Sequence, residues 1–97
     1  MNREEIVEFI EDEYPAVDWE EIVLFDDIPE AFVGVAERFN MDPVAAYDYD
    51  KCIEIYMEDG CTYDEAVEHF GVNVIGTWAG DRTPVFLHMA ERREYAR

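Results

Sequence analysis

Acidic side chains dominate the first 70 residues of this chain and limit which elements can form there. Twelve of the 25 Asp and Glu residues fall in residues 1–30 and ten in residues 31–70, whereas residues 71–97 carry a net charge of +1. Like charges at i, i+3 and i, i+4 weaken an isolated helix. Any helix in this region must therefore be held by an apolar stripe packed on a core.

The sequence has enough apolar material for one such core. Its hydrophobic fraction is 49%, with six Phe, six Tyr and two Trp, so the high charge does not indicate disorder. Its length of 97 residues falls within the usual size of one domain. We expect a single acidic domain over residues 1–97, with an acidic N-terminal segment at 1–30, a core at 31–87 and a short basic tail at 88–97.

The net charge of −18 restricts the partners of the chain. A field of this size repels phosphate backbones and anionic lipid headgroups, and it accelerates encounter with positively charged surfaces. Direct binding to nucleic acid, membranes or phosphate is therefore disfavoured, and a basic protein surface is favoured.

The sequence contains neither a basic-then-apolar leader nor an apolar run near the roughly 20 residues that span a bilayer, so we expect a cytoplasmic protein. Cys52 and Cys61 are too few for a disulfide framework and lack zinc-site spacing. We expect both to be reduced thiols, with Cys52 in the core. His69 and His88 have no nucleophile and orienting carboxylate at a suggestive spacing, which favours structural histidines over catalytic ones.

Capping signals predict the first helix. Asn2 is followed three residues later by Glu5, the spacing of a capping box, and apolar residues then recur near helical spacing. This pattern predicts a helix over residues 3–13. Residues 15–30 mix large apolar side chains with acids, which predicts an irregular connection with one helical turn near Trp19.

The middle of the chain predicts a hairpin followed by a helix. Residues 31–39 fit either a helix or a strand by their period, and Gly34 with its flanking valines favours a strand. The segment NMDP predicts a turn, and Pro43 opens a second short strand, VAAYDY. From Tyr49 the apolar period becomes helical, and Gly60 marks the end of this second helix.

A second capping box predicts a third helix. Thr62 and Glu65 have the same spacing as the first pair, and the apolar stripe that follows fits one helix over residues 63–79. Residues 73–79 also fit a strand, and residues 83–87 read as a last strand. We therefore expect an α+β fold, in which an N-terminal helix and two later helices pack on a small, mainly antiparallel sheet.

Residues 42–87 follow a recurring pattern. They contain a Y-D-Y-D-K helix start, a G-x-T-x-x-E-A capping segment, an N-V-x-G-x-x-x-G stretch and a T-P-x-F ending, in that order. This pattern resembles a group of small, uncharacterised phage-encoded proteins, and the resemblance implies a phage or prophage origin and an α+β domain but no activity. Gly71 departs from the pattern, which has an acidic residue there. The matching positions are Tyr47, Tyr49, Asp50, Lys51, Asn73, Gly76, Gly80, Thr83, Pro84 and Phe86.

The acids between residues 11 and 30 form the candidate binding site, because nine carboxylates lie there among large apolar side chains. Such carboxylates can imitate a phosphate backbone, and nearby aromatic rings can anchor in a partner's pockets. We expect a non-enzymatic phage inhibitor that mimics nucleic acid and occupies the basic groove of a host DNA- or RNA-binding protein, as an anti-CRISPR or anti-restriction protein would. The candidate partner-binding residues are Glu11, Asp12, Glu13, Asp18, Trp19, Glu20, Glu21, Phe25, Asp26, Asp27 and Glu30.

The acidic residues are also compatible with alternative roles. A small metal-binding or enzymatic accessory protein would use the acids of residues 48–59, although they lack the glycine and the closing glutamate of an EF-hand loop. Asp48 or Asp50 also suits the N-cap of the second helix. An acidic phage assembly protein would self-associate through the apolar part of residues 72–87. The acids also suit solubility alone, or halophilic adaptation. The metal alternative uses Asp48, Asp50, Glu54, Glu58 and Asp59.

Overall fold

The structure, a computed structural model, describes residues 1–25, 27–72 and 80–90. Along the described chain, a helix is followed by two strands, two further helices and a last strand. This order confirms the predicted α+β fold with an N-terminal helix. The helices are α1 (Arg3–Glu13), α2 (Tyr49–Glu58) and α3 (Tyr63–Phe70), and the strands are β1 (Phe32–Ala36), β2 (Val44–Asp48) and β3 (Val85–Leu87).

The three strands form one sheet in the order β1, β2, β3. β1 and β2 pair antiparallel as the predicted hairpin, whereas β2 and β3 pair parallel, with Tyr47 opposite Phe86. The sheet is therefore mixed, with one pair of each kind among the described residues, and not mainly antiparallel. Two helices separate β2 from β3 in the chain, and a connection of that length permits a parallel return.

Side-chain caps fix where the helices begin. The Asn2 carboxamide accepts a hydrogen bond from the Glu5 N–H at 2.8 Å, and the Glu5 carboxylate accepts one from the Asn2 N–H at 2.9 Å. Thr62 and Glu65 repeat this reciprocal pair at the start of α3. Asp48 is the N-cap of α2. This confirms the N-cap role that the sequence allowed for Asp48 or Asp50. All three predicted helix starts are confirmed.

The first strand of the hairpin, β1, is shorter than the range of residues 31–39 that fitted a strand. β1 ends at Ala36, and the chain turns through Asn40, whose φ of 63° lies in the left-handed region that Asn tolerates better than most residues. Phe39 lies in this turn with 91% of its surface exposed. The apolar period therefore continued past the end of the strand into the turn.

The described part of α3 agrees with the predicted third helix. Its α-helical part ends at Phe70, and Gly71 keeps right-handed helical backbone angles, with φ of −63° and ψ of −40°. Gly71 and Val72 continue in a π-helical turn. Residues 73–79, which fitted either helix or strand, lie outside the described residues.

An aromatic cluster ties the sheet to the rest of the chain. Tyr47 of β2 is fully buried, and its ring lies 5.5 Å from that of Phe25, 5.9 Å from that of Phe32 and 6.0 Å from that of Phe86. Phe70 of α3 lies 5.0 Å from Phe86. The core thus joins all three strands, α3 and the irregular connection. The remaining fully or nearly fully buried side chains of the core are Ile6, Ile10, Ile28, Ala31, Ala45, Cys52, Ile53 and Ala66.

Candidate functional site

The last turn of α1 carries three consecutive carboxylates. Glu11, Asp12 and Glu13 are all exposed, and this turn contains no basic residue. The C-terminal end of a helix has a partial negative charge, so acids there are unfavourable for the helix. Lys51 pairs with Glu54, and Arg82 pairs with Glu21 and Asp42, so neither of these ion-paired bases reaches the three carboxylates. Local stability does not account for their position.

The acidic surface extends back along α1 beyond the predicted residues. Glu4, Glu8 and Glu11 line one open depression together with Arg3 and Val7. Their spacing places them on one face of the helix. Glu4 and Glu8 therefore belong to the same surface as Glu11, and their i, i+4 spacing was the signal that could have added them to the candidate site.

The turn that follows α1 keeps its acids exposed. Asp18 caps a 3-10 turn over Trp19–Glu21, because its carboxylate accepts a hydrogen bond from the Glu20 N–H at 3.1 Å. Asp18 and Glu20 are exposed, whereas Trp19 is half-buried against the core. The helical turn predicted near Trp19 is confirmed. We call the exposed surface of Glu4, Glu8, Glu11, Asp12, Glu13, Asp18 and Glu20 the acidic face.

Phe25 is part of the aromatic cluster. Its ring stacks on that of Phe86 at 5.9 Å, and its N–H donates a hydrogen bond to the Tyr47 hydroxyl at 2.9 Å. Phe25 is half-buried, and its ring packs against the core. It therefore contributes to the fold, and its role as an anchor for a partner stays a prediction.

The last acids of the candidate site are Asp26, Asp27 and Glu30, and the structure describes Asp27 and Glu30. The Tyr56 hydroxyl donates to the Asp27 carboxylate at 3.4 Å, and burial, together with the negative charge of Asp27, raises the pKa of Tyr56 to about 12. Glu30 is exposed in a second 3-10 turn. Asp26 lies outside the described residues.

Arg82 joins the acidic segment to the hairpin. Its guanidinium donates to the Glu21 carboxylate and to the Glu21 carbonyl, each at 3.1 Å, and to the Asp42 carboxylate at 3.1 Å. The hydrogen bond and charge of Glu21, followed by Asp42, raise the pKa of Arg82. Beside this junction lies a cavity of about 140 Å³. It is lined by Ala16, Val17, Asp18, Glu21, Ile22, Asp42, Pro43 and Arg82.

The acids proposed for a metal site do not converge. Asp48 caps the start of α2 and Asp59 its end, and a helix of ten residues separates its two ends by about 15 Å. Glu54 lies between them and is paired with Lys51 at 2.7 Å. The described residues contain no group of three or more side chains arranged to hold a metal ion.

Cys52 is fully buried, as the sequence predicts, and both cysteines are free thiols. Burial raises the pKa of the Cys52 thiol to about 12, and the nearby Asp48 and Asp27 charges add to the shift. The nucleophilic thiolate is therefore scarce at neutral pH. Cys52 acts as a core residue.

The two histidines pack against tyrosine rings. His69 meets Tyr56 edge-on at 4.9 Å, and His88 stacks on Tyr49 at 4.1 Å. These ring contacts give both histidines a packing role.

Part of the apolar surface proposed for self-association is described. Val72 is 70% exposed, and Val85 and Leu87 are 37% and 40% exposed. Val85 and Leu87 lie two residues apart on β3, so they face the same side of the sheet.

Among the residues that the structure describes, no helix has both the length and the apolar content needed to cross a bilayer. Comparison with known proteins found no matching family model, no matching curated protein and no matching solved structure.

Proposed function

We propose that this chain is a non-enzymatic inhibitor that binds the basic nucleic-acid-binding groove of another protein through its acidic face. The anti-CRISPR or anti-restriction type is the form that the charge and a phage origin together favour. Carboxylates of the acidic face take the place of backbone phosphates and oppose the partner's lysines and arginines. No covalent chemistry is involved.

The last turn of α1 carries this proposal. Three acids at the negative end of a helix oppose the helix dipole, and neither of the ion-paired bases Lys51 and Arg82 reaches them. Natural sequences break such local rules mainly at functional sites. A basic partner removes the repulsion on binding, so the energy that these acids cost the free helix is recovered in the complex.

Two further acids of the acidic face, Asp18 and Glu20, follow α1 in the chain and are exposed. The Asp18 carboxylate is held by the cap of the 3-10 turn, and a side chain fixed by a cap loses little further freedom on binding. Charges presented on fixed elements steer a partner and set its register. The acidic face therefore combines a long-range field with a defined geometry.

The test separates a localised face from bulk charge. One variant carries Glu11→Gln, Asp12→Asn and Glu13→Gln, and a matched variant carries Glu58→Gln, Asp64→Asn and Glu68→Gln on α2 and α3. Both remove three exposed carboxylates of the same types and leave the same net charge. Wild type and both variants are immobilised, a bacterial lysate is passed at low salt, and proteins eluted by high salt are identified by mass spectrometry.

A nucleic-acid-binding protein captured by wild type and by the α2–α3 variant, but not by the α1 variant, supports the proposal. Its binding should then weaken steeply with salt and compete with DNA. Equal loss in the two variants would show that only net charge matters. A ternary complex with DNA still in the groove would contradict mimicry.

A further inference from the structure

We infer that the cavity beside Arg82 receives one lysine or arginine side chain of the basic partner, and this inference rests on the proposed function. It adds a docking point to the acidic face. The inference is carried by the size of the cavity, the chemistry of its walls and the way its carboxylates are held.

The size of the cavity selects the kind of occupant. Pockets that bind drug-sized ligands and cofactors usually measure about 300–1,000 Å³. This cavity measures about 140 Å³ and is open to solvent, which suits the end of a single side chain that projects from another surface.

The walls match a long basic side chain. Val17, Ile22 and Pro43 supply apolar surface, and Asp18, Glu21 and Asp42 supply carboxylates. Lysine and arginine have this same division, because an aliphatic stem packs on apolar surface while the charged head keeps polar partners. The lining carries three acids and one base, so its net charge attracts a further cation.

The carboxylates of the cavity are already held in place. Glu21 and Asp42 accept hydrogen bonds from Arg82, and Asp18 accepts one from Glu20. Each carboxylate has two oxygens and about four acceptor sites, so one hydrogen bond leaves capacity for an incoming donor. The site is therefore preorganised for a second cation, which lowers the entropy lost on binding.

A filling substitution tests the cavity without changing charge. Ala16 lines the cavity and is exposed, so Ala16→Leu occupies the apolar part and leaves every carboxylate intact. Ala90→Leu is the matched control, because Ala90 is exposed and does not line the cavity. Binding of a fluorescein-labelled octalysine peptide to wild type and to both variants is measured by anisotropy at low salt, and circular dichroism checks that each variant keeps its fold.

We expect Ala16→Leu to weaken octalysine binding about tenfold relative to wild type and to Ala90→Leu. Backbone amide shifts that octalysine induces in residues 16–22 should also disappear in Ala16→Leu. Equal octalysine binding by the two variants would overturn the cavity inference. If that binding were still salt-sensitive, the proposed function of the acidic face would stand. Failure of wild type itself to bind octalysine in a salt-sensitive way would overturn the proposed function and the cavity together.

Discussion

The two halves of the candidate segment, residues 11–20 and residues 21–30, have similar compositions but different relations to the fold. In the first half, Glu11, Asp12 and Glu13 are exposed, and neither of the ion-paired bases reaches them. In the second half, Glu21 and Phe25 are bound by partners far away in the chain.

The difference shows that acidic and aromatic residues close together in sequence need not act together. Residues 21–30 are bound to the sheet through the Phe25–Tyr47 hydrogen bond and to Arg82 through Glu21, and these contacts help to position residues 11–20. A partner can therefore use the exposed acids of the first half at little cost to the fold, whereas changes at Glu21 and Phe25 act first on stability.

The largest effect should come from the centre of the aromatic cluster. Tyr47→Ala removes a fully buried ring that contacts both Phe25 and Phe86, and we expect it to lower the free energy of unfolding by about 3–5 kcal/mol. Tyr47→Phe keeps the ring but removes the acceptor of the Phe25 N–H, at a cost of about 1–2 kcal/mol. Urea unfolding measures both values. A small loss in Tyr47→Ala would mean that the second half is not fixed by this cluster.

Alkaline pH should weaken the fold next most strongly. The folded state holds the Cys52 pKa at about 12, above its ordinary value of 9.0, so the unfolded thiol loses its proton at lower pH than the folded one. The stability from this group is fully present below pH 9 and is lost between pH 9 and about 12, reaching a loss of about 3 kcal/mol by pH 11. Tyr56 adds a similar loss from pH 10 to about 12.

Urea unfolding at a series of pH values from 8 to 11 measures this decline. Cys52→Ala should flatten the decline in unfolding free energy between pH 9 and pH 10, because in the unfolded chain the Cys52 thiol loses its proton at lower pH than the Tyr56 hydroxyl. Cys61→Ala serves as the control, because that thiol is only half-buried. If the two cysteine variants declined in parallel, burial of Cys52 would not be the cause.

A smaller effect is expected from an acid that serves the fold. Asp48 is nearly buried and caps α2, accepting a hydrogen bond from the Lys51 N–H at 3.2 Å. Asp48→Ala should cost about 1 kcal/mol in urea unfolding, and Asp48→Asn should recover most of it because Asn also caps helices. Equal losses in the two variants would assign the effect to charge and not to the cap.

The smallest effect should have the opposite sign. Removing the charges of Glu11, Asp12 and Glu13 relieves their repulsion with the negative end of α1, so we expect the amide variant to be more stable by about 0.5–1 kcal/mol. Glu4→Gln at the other end of α1 should be slightly destabilising, because an acid there favours the helix. Thermal melting at low salt compares them. A destabilised triple variant would place these acids in the fold and remove the contrast between the two halves.

Local signals in the sequence were sufficient for much of the fold. Capping boxes at Asn2 and Thr62, the turn before Pro43 and the change of period at Tyr49 each depend on residues within a few positions of one another. Such short-range signals can be read from a few neighbouring residues without knowledge of the rest of the chain. They predicted the three helix starts, the hairpin, the buried Cys52 and the exposed acids of α1.

Long-range pairing decided the rest. The parallel pairing of β3, the position of Phe25 in the core and the junction of Arg82 with Glu21 and Asp42 join residues 22 to 61 positions apart. No local pattern encodes such contacts, because they form only when several elements pack together and bury a common surface. The sequence by itself determined that the first part of the chain is acidic and amphipathic, and the tertiary structure decided which of those acids remain available to a partner.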